Sequence, residues 1–414
     1  MISQQMKNET TIKLPISFIL YSLIAFVFSQ VFLLFAADDM INGVFRTPAI
    51  WSAAHLLILG WALMVAMGAM YQLVPVAFLT PIWSERFGFF QFGISLVGVT
   101  SFAISLWFFP TFMAYTGAIA VLGILLFLFQ MLMTLRKQAK KNILTLFVGS
   151  ALVCLLATIT LGIFLTININ FGISGIDHLA ILKTHILMGI TGWFTLLIFG
   201  FSYKMVPMFA LAHGFSMNLG KWVYVNYLAG LLVTILSFII ENTVIFQIGL
   251  LLLFVGFTLF TYHIYLIIKS RLKKKLDKPF VFSLLSILFG LLLHLFGFLL
   301  SLFPGHYSLF GLLIYVYLFS WIVFSIIGYL YKIVPFLWWT HRYSKVIGKS
   351  NVPTLKQMIN DRLSNPIFTF FIIGVAGIVG GSLLKNINLF YISQLLIIVA
   401  VLVFAIVIIN VVRK

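Results

Sequence analysis

A five-residue signature occurs three times in this chain, at a spacing close to one third of its length. Each copy reads W-x6-G-x2-Y-x2-V-P, and the copies follow one another after 132 and then 128 residues. A fixed period of this length indicates that one unit of several helices was used three times. The copies are Trp61, Gly68, Tyr71, Val74 and Pro75; Trp193, Gly200, Tyr203, Val206 and Pro207; Trp321, Gly328, Tyr331, Val334 and Pro335.

The composition is that of a membrane protein. Of the 414 residues, 63% are hydrophobic and 8% are charged, and the mean hydropathy is +1.17. Most apolar runs reach the ~20 residues that a helix needs to cross a bilayer, where unpaired backbone groups are not tolerated. The sequence therefore predicts an all-α polytopic fold with twelve transmembrane helices. Their expected ranges are 14–36, 51–79, 89–110, 112–135, 143–167, 178–206, 222–240, 243–268, 279–303, 307–338, 367–384 and 389–411.

The signature falls near the end of helices 2, 6 and 10, so each unit holds about four helices. The prediction is a single membrane domain, 1–414, made of three pseudo-symmetric units at about 1–140, 141–270 and 271–414. The motif itself is interpreted as a packing device. Its glycine lets helices approach, its tyrosine anchors the helix end, and its proline shapes the exit from the helix.

The 26 Lys and Arg residues give the orientation. With both termini inside, 23 of them fall on the inner side, and only Arg46, Lys183 and Lys385 fall outside. Basic clusters at 136–141, which includes Lys140, and at 269–275 favour this orientation by the positive-inside rule. The expected location is the cytoplasmic membrane, with membrane lipid as a partner. A nucleic-acid partner is not expected, because the net charge of +18 is divided among short loops.

Few side chains are suited to catalysis, metal binding or ion coupling. The single cysteine, Cys154, lies inside helix 5, so neither a disulfide nor a thiolate metal site is expected. No phosphate-binding loop or zinc motif is present. All eight carboxylates fall in tails, loops or helix ends, which weighs against an ion-coupled transporter. They are Glu9, Asp38, Asp39, Glu85, Asp177, Glu241, Asp277 and Asp361.

Histidine is the exception, because five of the eight histidines fall on the outer side or in the outer half of a helix. His55 in helix 2, His185 in helix 6 and His294 in helix 9 are candidate ligands, since ionisable groups within a membrane are costly and often functional. The alternative for each is a ring hydrogen-bonded to a neighbouring carbonyl. His178 and His306 are interpreted as interface residues, and so is His263 at the inner end of helix 8.

Two outer-half imidazoles without a nearby carboxylate or thiolate would leave an isolated divalent metal under-ligated. Haem is a better match, because it needs one or two axial imidazoles and an apolar pocket between helices. Aromatic residues form 17% of the chain. They suit such a pocket, although a packed membrane core would use them too.

The segment from His55 through Trp61, Gly68 and Tyr71 to Pro75 resembles helix 2 of subunit I of the haem–copper oxidase superfamily. The nearest members are the nitric oxide reductases and the C-type oxidases. Twelve helices, inner termini and pseudo-threefold four-helix units also resemble that family. The resemblance implies that His55 binds the iron of a low-spin haem. It places His185 in the helix that carries a ligand of the family's active-site copper.

The chain departs from the family where its catalytic metals are held. Helix 10 of the family supplies a His-x-His pair, but 307–338 contains no histidine here. Helix 7 of the family carries adjacent copper ligands, but 222–240 contains none. Copper binding is therefore not supported, and reduction of oxygen or nitric oxide by the family mechanism is not expected.

The sequence thus predicts a membrane protein that binds haem b through His55, without the binuclear haem–copper centre. His185 is the leading candidate for the opposite ligand, and His294 is its replacement. Roles in electron transfer with a respiratory partner, in haem handling or in nitric oxide response remain open. The topology alone also resembles a second family of twelve-helix haem proteins associated with nitric oxide response. The alternatives are a cofactor-free transporter or permease and an assembly partner of a respiratory complex.

Overall fold

The computed structural model describes residues 11–138, 141–173, 175, 177–348 and 352–414. Glu9 and Lys140, named above, lie outside the described residues. Within these ranges the fold is all-α, with twelve helices long and apolar enough to cross a membrane. In chain order they are α1 (Lys13–Phe35), α2 (Pro48–Phe78), α3 (Glu85–Phe108), α4 (Pro110–Leu135), α5 (Ile143–Phe171), α6 (His178–Ala210), α7 (Asn218–Ile239), α8 (Thr243–Lys269), α9 (Lys278–Ser301), α10 (Phe310–Val346), α11 (Asp361–Leu384) and α12 (Ile387–Val412).

The predicted fold class and the twelve helices are confirmed, and most boundaries agree within a few residues. The main difference concerns the ends of the motif-bearing helices. Pro75, Pro207 and Pro335 lie inside helical segments, and the last of these segments continues to Tyr343. A proline costs one helical hydrogen bond, and a helix surrounded by other helices can tolerate that loss.

Close contacts along the chain define two compact units. Unit 1 comprises Met1–Ala139, Asp277–Ser283 and Val323–Lys414. Unit 2 comprises Lys140–Leu276 and Leu284–Ile322. Helices α9 and α10 contribute to both units, and the threefold division of the sequence stays an interpretation.

In unit 1, the first and last helices pack together around α2. The indole of Trp61 stacks on Phe26 of α1, with ring centroids 4.4 Å apart, and meets the ring of Phe404 of α12 edge-on. Gln394 of α12 donates a hydrogen bond of 2.8 Å to the carbonyl of Gln30 in α1. The NH2 group of a buried glutamine is therefore paired across helices, which stabilises their association in lipid.

In unit 2, the core is built around the ring of Phe199 in α6. This ring stacks on Phe260 of α8 at a centroid distance of 3.8 Å and packs edge-on against Phe257. Trp321 of α10 approaches both Phe199 and Phe257 edge-on. Edge-on and stacked aromatic pairs of this kind add to the stabilisation that burial alone provides.

Three helical hairpins, α3–α4, α7–α8 and α11–α12, are each closed by glycines that face the backbone of the partner helix. A Cβ added at Gly98 would lie 2.5 Å from the backbone nitrogen of Ala120. A Cβ at Gly256 would lie 2.8 Å from the nitrogen of Tyr227, and one at Gly381 would lie 3.0 Å from that of Phe390. Small residues therefore permit the close backbone approach that holds helices together in lipid.

The repeated glycine of the signature has the same role in all three copies, because each packs against the helix that precedes its own. An added Cβ would lie 2.8 Å from the Cβ of Phe18 in α1 at Gly68, 2.9 Å from the Cβ of Phe147 in α5 at Gly200, and 3.0 Å from the carbonyl oxygen of Pro279 in α9 at Gly328. The structure thus agrees with the interpretation of the motif glycine as a packing residue.

The motif-bearing helices share a feature that the sequence did not predict. Each contains a π-helical segment that includes its repeated tryptophan: Leu56–Leu63 in α2, Met188–Thr195 in α6 and Leu318–Val323 in α10. All three tryptophans are buried. π-Helical insertions are rare, and they are often found at functional sites.

We predict that Gly68→Ala destabilises the protein by about 1–3 kcal/mol, because the new methyl group overpacks the contact with α1. The measurement is the midpoint of thermal unfolding of the purified protein in lipid discs. Gly93→Ala in α3 is the matched control, since no atom lies within 4 Å of the added Cβ there. Equal midpoints for the two variants would contradict the packing role of Gly68.

Candidate functional site

The three histidines predicted as ligands are divided between the two units. His55 belongs to unit 1, while His185 and His294 belong to unit 2. Each is therefore described in its own surroundings.

His55 lies on the face of α2 that is directed at α3. Its Nδ1–H donates to the carbonyl of Trp51, one turn earlier, at 2.8 Å. The ring of Phe102 meets the imidazole edge-on at a centroid distance of 5.3 Å. The π-helical segment of α2 begins at the next residue, Leu56.

His185 lies on the face of α6 that is directed at α5. Its Nδ1–H donates to the carbonyl of Thr158 at 2.9 Å. The ring lies over Gly162, where an added Cβ would be 2.9 Å from the imidazole Cε1. The π-helical segment of α6 begins three residues later, at Met188.

His55 and His185 therefore share one tautomer, with the proton on Nδ1 and the lone pair on Nε2. Histidines that bind a metal through Nε2 usually donate the other ring N–H to a carbonyl or carboxylate in this way. A buried histidine that only satisfies a carbonyl makes the same bond. The arrangement fits an axial haem ligand and is equally compatible with a structural role.

Both ring nitrogens of His294 have hydrogen-bond partners. Nδ1–H donates to the carbonyl of Gly290 at 2.7 Å, and Nε2 accepts from the hydroxyl of Tyr227 at 3.1 Å. The buried ring also lies 4.4 Å from the ring centre of Phe257 and 5.4 Å from that of Tyr317. To bind iron, His294 would have to lose its bond with Tyr227.

A buried cluster of hydroxyl groups adjoins His294, and sequence reasoning missed it. The hydroxyl of Thr195 donates to the carbonyl of Ile190 at 3.0 Å. It therefore accepts from the hydroxyl of Tyr317 at 2.7 Å and from Nε1 of Trp321 at 3.0 Å. The Tyr317 hydroxyl also interacts with Thr191 and Tyr227.

This cluster forms one end of a cavity inside unit 2, with a volume of about 570 Å³. Thr191, His294 and Tyr317 are the polar lining residues next to the cluster, and the lining also includes Thr234, Ser237, Asn242 and Thr243. Most of the remaining wall is aliphatic and aromatic, and includes Leu187, Ile190, Phe238, Leu250 and Leu313. Asp177, Lys183 and Glu241 line it where α6 begins and α7 ends.

The cavity includes His294 but not His185, whose ring is bonded to α5 instead. The two predicted ligands of unit 2 therefore do not converge on this space. Among the described residues, no group of three or more His, Cys, Asp or Glu side chains could hold a metal ion.

His263, interpreted as an interface residue at the inner end of helix 8, is buried among protein side chains and is 1% exposed. Nδ1 contacts the hydroxyl of Tyr203 at 3.2 Å, and Nε2 lies 2.9 Å from the carbonyl of Ser216. The carbonyl can only accept, so Nε2 carries the proton and Nδ1 accepts from the tyrosine. The ring links the repeated tyrosine of α6 to α8, which makes it a packing residue of unit 2.

Comparison with known proteins adds no relative: no family model matches the chain, and no curated protein does. The resemblance to haem–copper oxidase subunit I therefore rests on the residues of helix 2 and on the helix count.

We predict that Tyr227→Phe destabilises the protein by about 1–3 kcal/mol, because Nε2 of the buried His294 loses its donor. Thermal unfolding in lipid discs measures the effect. Tyr265→Phe is the control, since that tyrosine lies on the neighbouring α8 with its side chain 58% exposed. A Tyr227→Phe midpoint no lower than that of the control would argue against a stabilising hydrogen bond.

Proposed function

We propose that this chain is a haem-binding, multi-pass protein of the cytoplasmic membrane, with both termini inside and His55 as an axial ligand of haem b. The observation that carries the proposal is the environment of His55. Its Nδ1–H donates to the Trp51 carbonyl, the tautomer and orientation usual for a histidine that binds a metal through Nε2, and a π-helical segment follows directly. The resemblance of 55–75 to a haem-binding helix adds to this support.

The residues present fit one axial imidazole in unit 1. The Trp51 carbonyl would fix the ring, and Phe102 would limit its rotation. When bound, haem b would supply an iron able to exchange one electron or to bind a small diatomic molecule. Electron transfer, haem handling and nitric oxide response remain the candidate roles.

His185 remains the candidate for the other axial ligand, ahead of His294. Iron binding by His294 would break the buried hydrogen bond that its Nε2 accepts from Tyr227, and that loss would carry a cost. The inside location of the termini rests on the positive-inside distribution of Lys and Arg.

The permease alternative has one structural observation in its favour, the cavity of unit 2. A solute site is expected to be a concave space with a few convergent polar groups. Uptake of solutes into proteoliposomes would favour this alternative, whereas an optical spectrum of haem would favour the first.

We predict that protein purified from haem-replete cells has a Soret band, and that His55→Ala removes or shifts it. A reduced-minus-oxidised spectrum and a haem-to-protein ratio are the measurements. His306→Ala is the control, because that histidine is exposed in the segment before α10 and should leave the spectrum unchanged. Colourless wild-type protein, or a spectrum that His55→Ala does not alter, would refute haem binding by His55.

A second spectroscopic prediction concerns His185. If two imidazoles bind the iron, His185→Ala should convert a low-spin spectrum into a high-spin one, because one strong-field ligand is lost. The measurement is the ferric spectrum in the visible and near-infrared. An unchanged low-spin spectrum would exclude His185, and the same experiment would then be made with His294→Ala.

A further inference from the structure

The cavity of unit 2 combines two properties that together indicate the chemical class of its ligand. Its wall is mainly aliphatic and aromatic, and its polar end is built from neutral groups. An ionised group placed at that end would lose its hydration without a partner of opposite charge, which is strongly unfavourable. The polar end therefore selects for an uncharged ligand.

The hydrogen bonds at the polar end add a directional preference. The hydroxyl proton of Tyr317 is used by Thr195, because the Thr195 proton goes to the carbonyl of Ile190. Of its neighbouring hydroxyls, Tyr227 gives its proton to His294, so only Thr191 can donate to the Tyr317 oxygen. A hydroxyl oxygen has two acceptor positions, and one of them therefore remains at the wall of the cavity. A ligand hydroxyl can donate to this oxygen, whereas a carbonyl or ether oxygen cannot.

The charged side chains lie elsewhere in the lining. Asp177 caps the start of α6 by accepting from the backbone N–H groups of Leu179 and Ala180. The ammonium of Lys183 lies over the ring of Phe238, 5.7 Å from its centre. With Glu241, these groups carry one positive and two negative charges, so this end gives no preference for a simple anionic head group.

We propose that this cavity binds an uncharged, elongated apolar molecule with a hydroxyl group, and that the hydroxyl donates to Tyr317 beside Thr191. The volume of about 570 Å³ lies in the range of small-molecule sites in proteins. This proposal does not rest on haem binding by His55 in unit 1, and in it His294, which lines the cavity, keeps its bond with Tyr227.

The test uses photoreactive probes of equal chain length on the whole protein in lipid discs. The probes are 1-decanol and n-decane, each with a diazirine in mid-chain, and labelled residues are located by mass spectrometry. We expect the decanol probe to label the cavity wall, including Leu313 and Leu187. Unlabelled decanol should compete with it, while decanoate and decylammonium should compete poorly.

Two variants distinguish the effect of the ligand's hydroxyl on labelling from the effect of the cavity space. Tyr317→Phe should lower cavity labelling by the decanol probe relative to the decane probe by about two- to tenfold, the factor of an ordinary hydrogen bond. Tyr315→Phe is the matched control, because Tyr315 is also buried but does not line the cavity. Leu313→Trp should fill the space and lower labelling by both probes.

Three results would overturn the proposal. They are labelling confined to exposed residues such as Leu232 and Ile248, labelling unaffected by Leu313→Trp, and competition by decanoate or decylammonium as strong as that by decanol. The competition result uses the wild-type protein, so it decides the question even if a variant does not fold. Labelling of the wild-type cavity is scored whether or not the preparation has a haem spectrum, which separates this proposal from haem binding.

Discussion

Helices in lipid cannot rely on the hydrophobic effect for their association, because hydrocarbon is as apolar as a leucine side chain. Close packing has to provide the attraction, and dispersion forces act only at short range. Both units meet this constraint with glycines that lie against a neighbouring helix, at Gly68 in unit 1 and Gly200 in unit 2. The repeated signature preserves this contact, so the recurrence of its glycine has a mechanical cause.

The same helices that carry the packing glycine also carry the π-helical segments. In a π-helix the backbone hydrogen bond spans five residues, so one residue more than in an α-helix is placed in the turn. Thr195 makes use of this geometry in α6, where its hydroxyl donates to the carbonyl of Ile190, five residues earlier. In an α-helix a threonine hydroxyl commonly bonds the carbonyl three or four residues earlier, whereas the widened turn directs this one to the fifth. This hydroxyl then orients Tyr317 and Trp321.

The helix count and the packing role of the motif could be predicted from sequence, because length, hydropathy and recurring small residues act locally. The candidate ligands could be placed at their helices, but their surroundings could not be predicted. The sequence gives no sign that His294 is bonded on both nitrogens, since one partner, Tyr227, is 67 residues away. The hydrogen bonds of His263 could not be predicted for the same reason, because its partners come from distant segments. The π-helical segments have no established sequence signal, and they appear only in the structure.

The hydroxyl cluster could have been found by comparing the three copies position by position. Four residues before the repeated tryptophan stand Leu57, Gly189 and Tyr317; two residues after it stand Leu63, Thr195 and Val323. The hydroxyl residues each occur in one copy only, and the structure brings Tyr317 and Thr195 into one hydrogen bond. The tryptophans differ accordingly, because Trp321 donates to Thr195, while Nε1 of Trp61 and of Trp193 has no partner among the described residues. A repeated scaffold needs only its packing positions to recur. In a buried cluster an unpaired hydroxyl is costly, so the fold alone gives no reason to place polar residues there. A functional role of the cluster therefore explains better why these residues depart from the repeat.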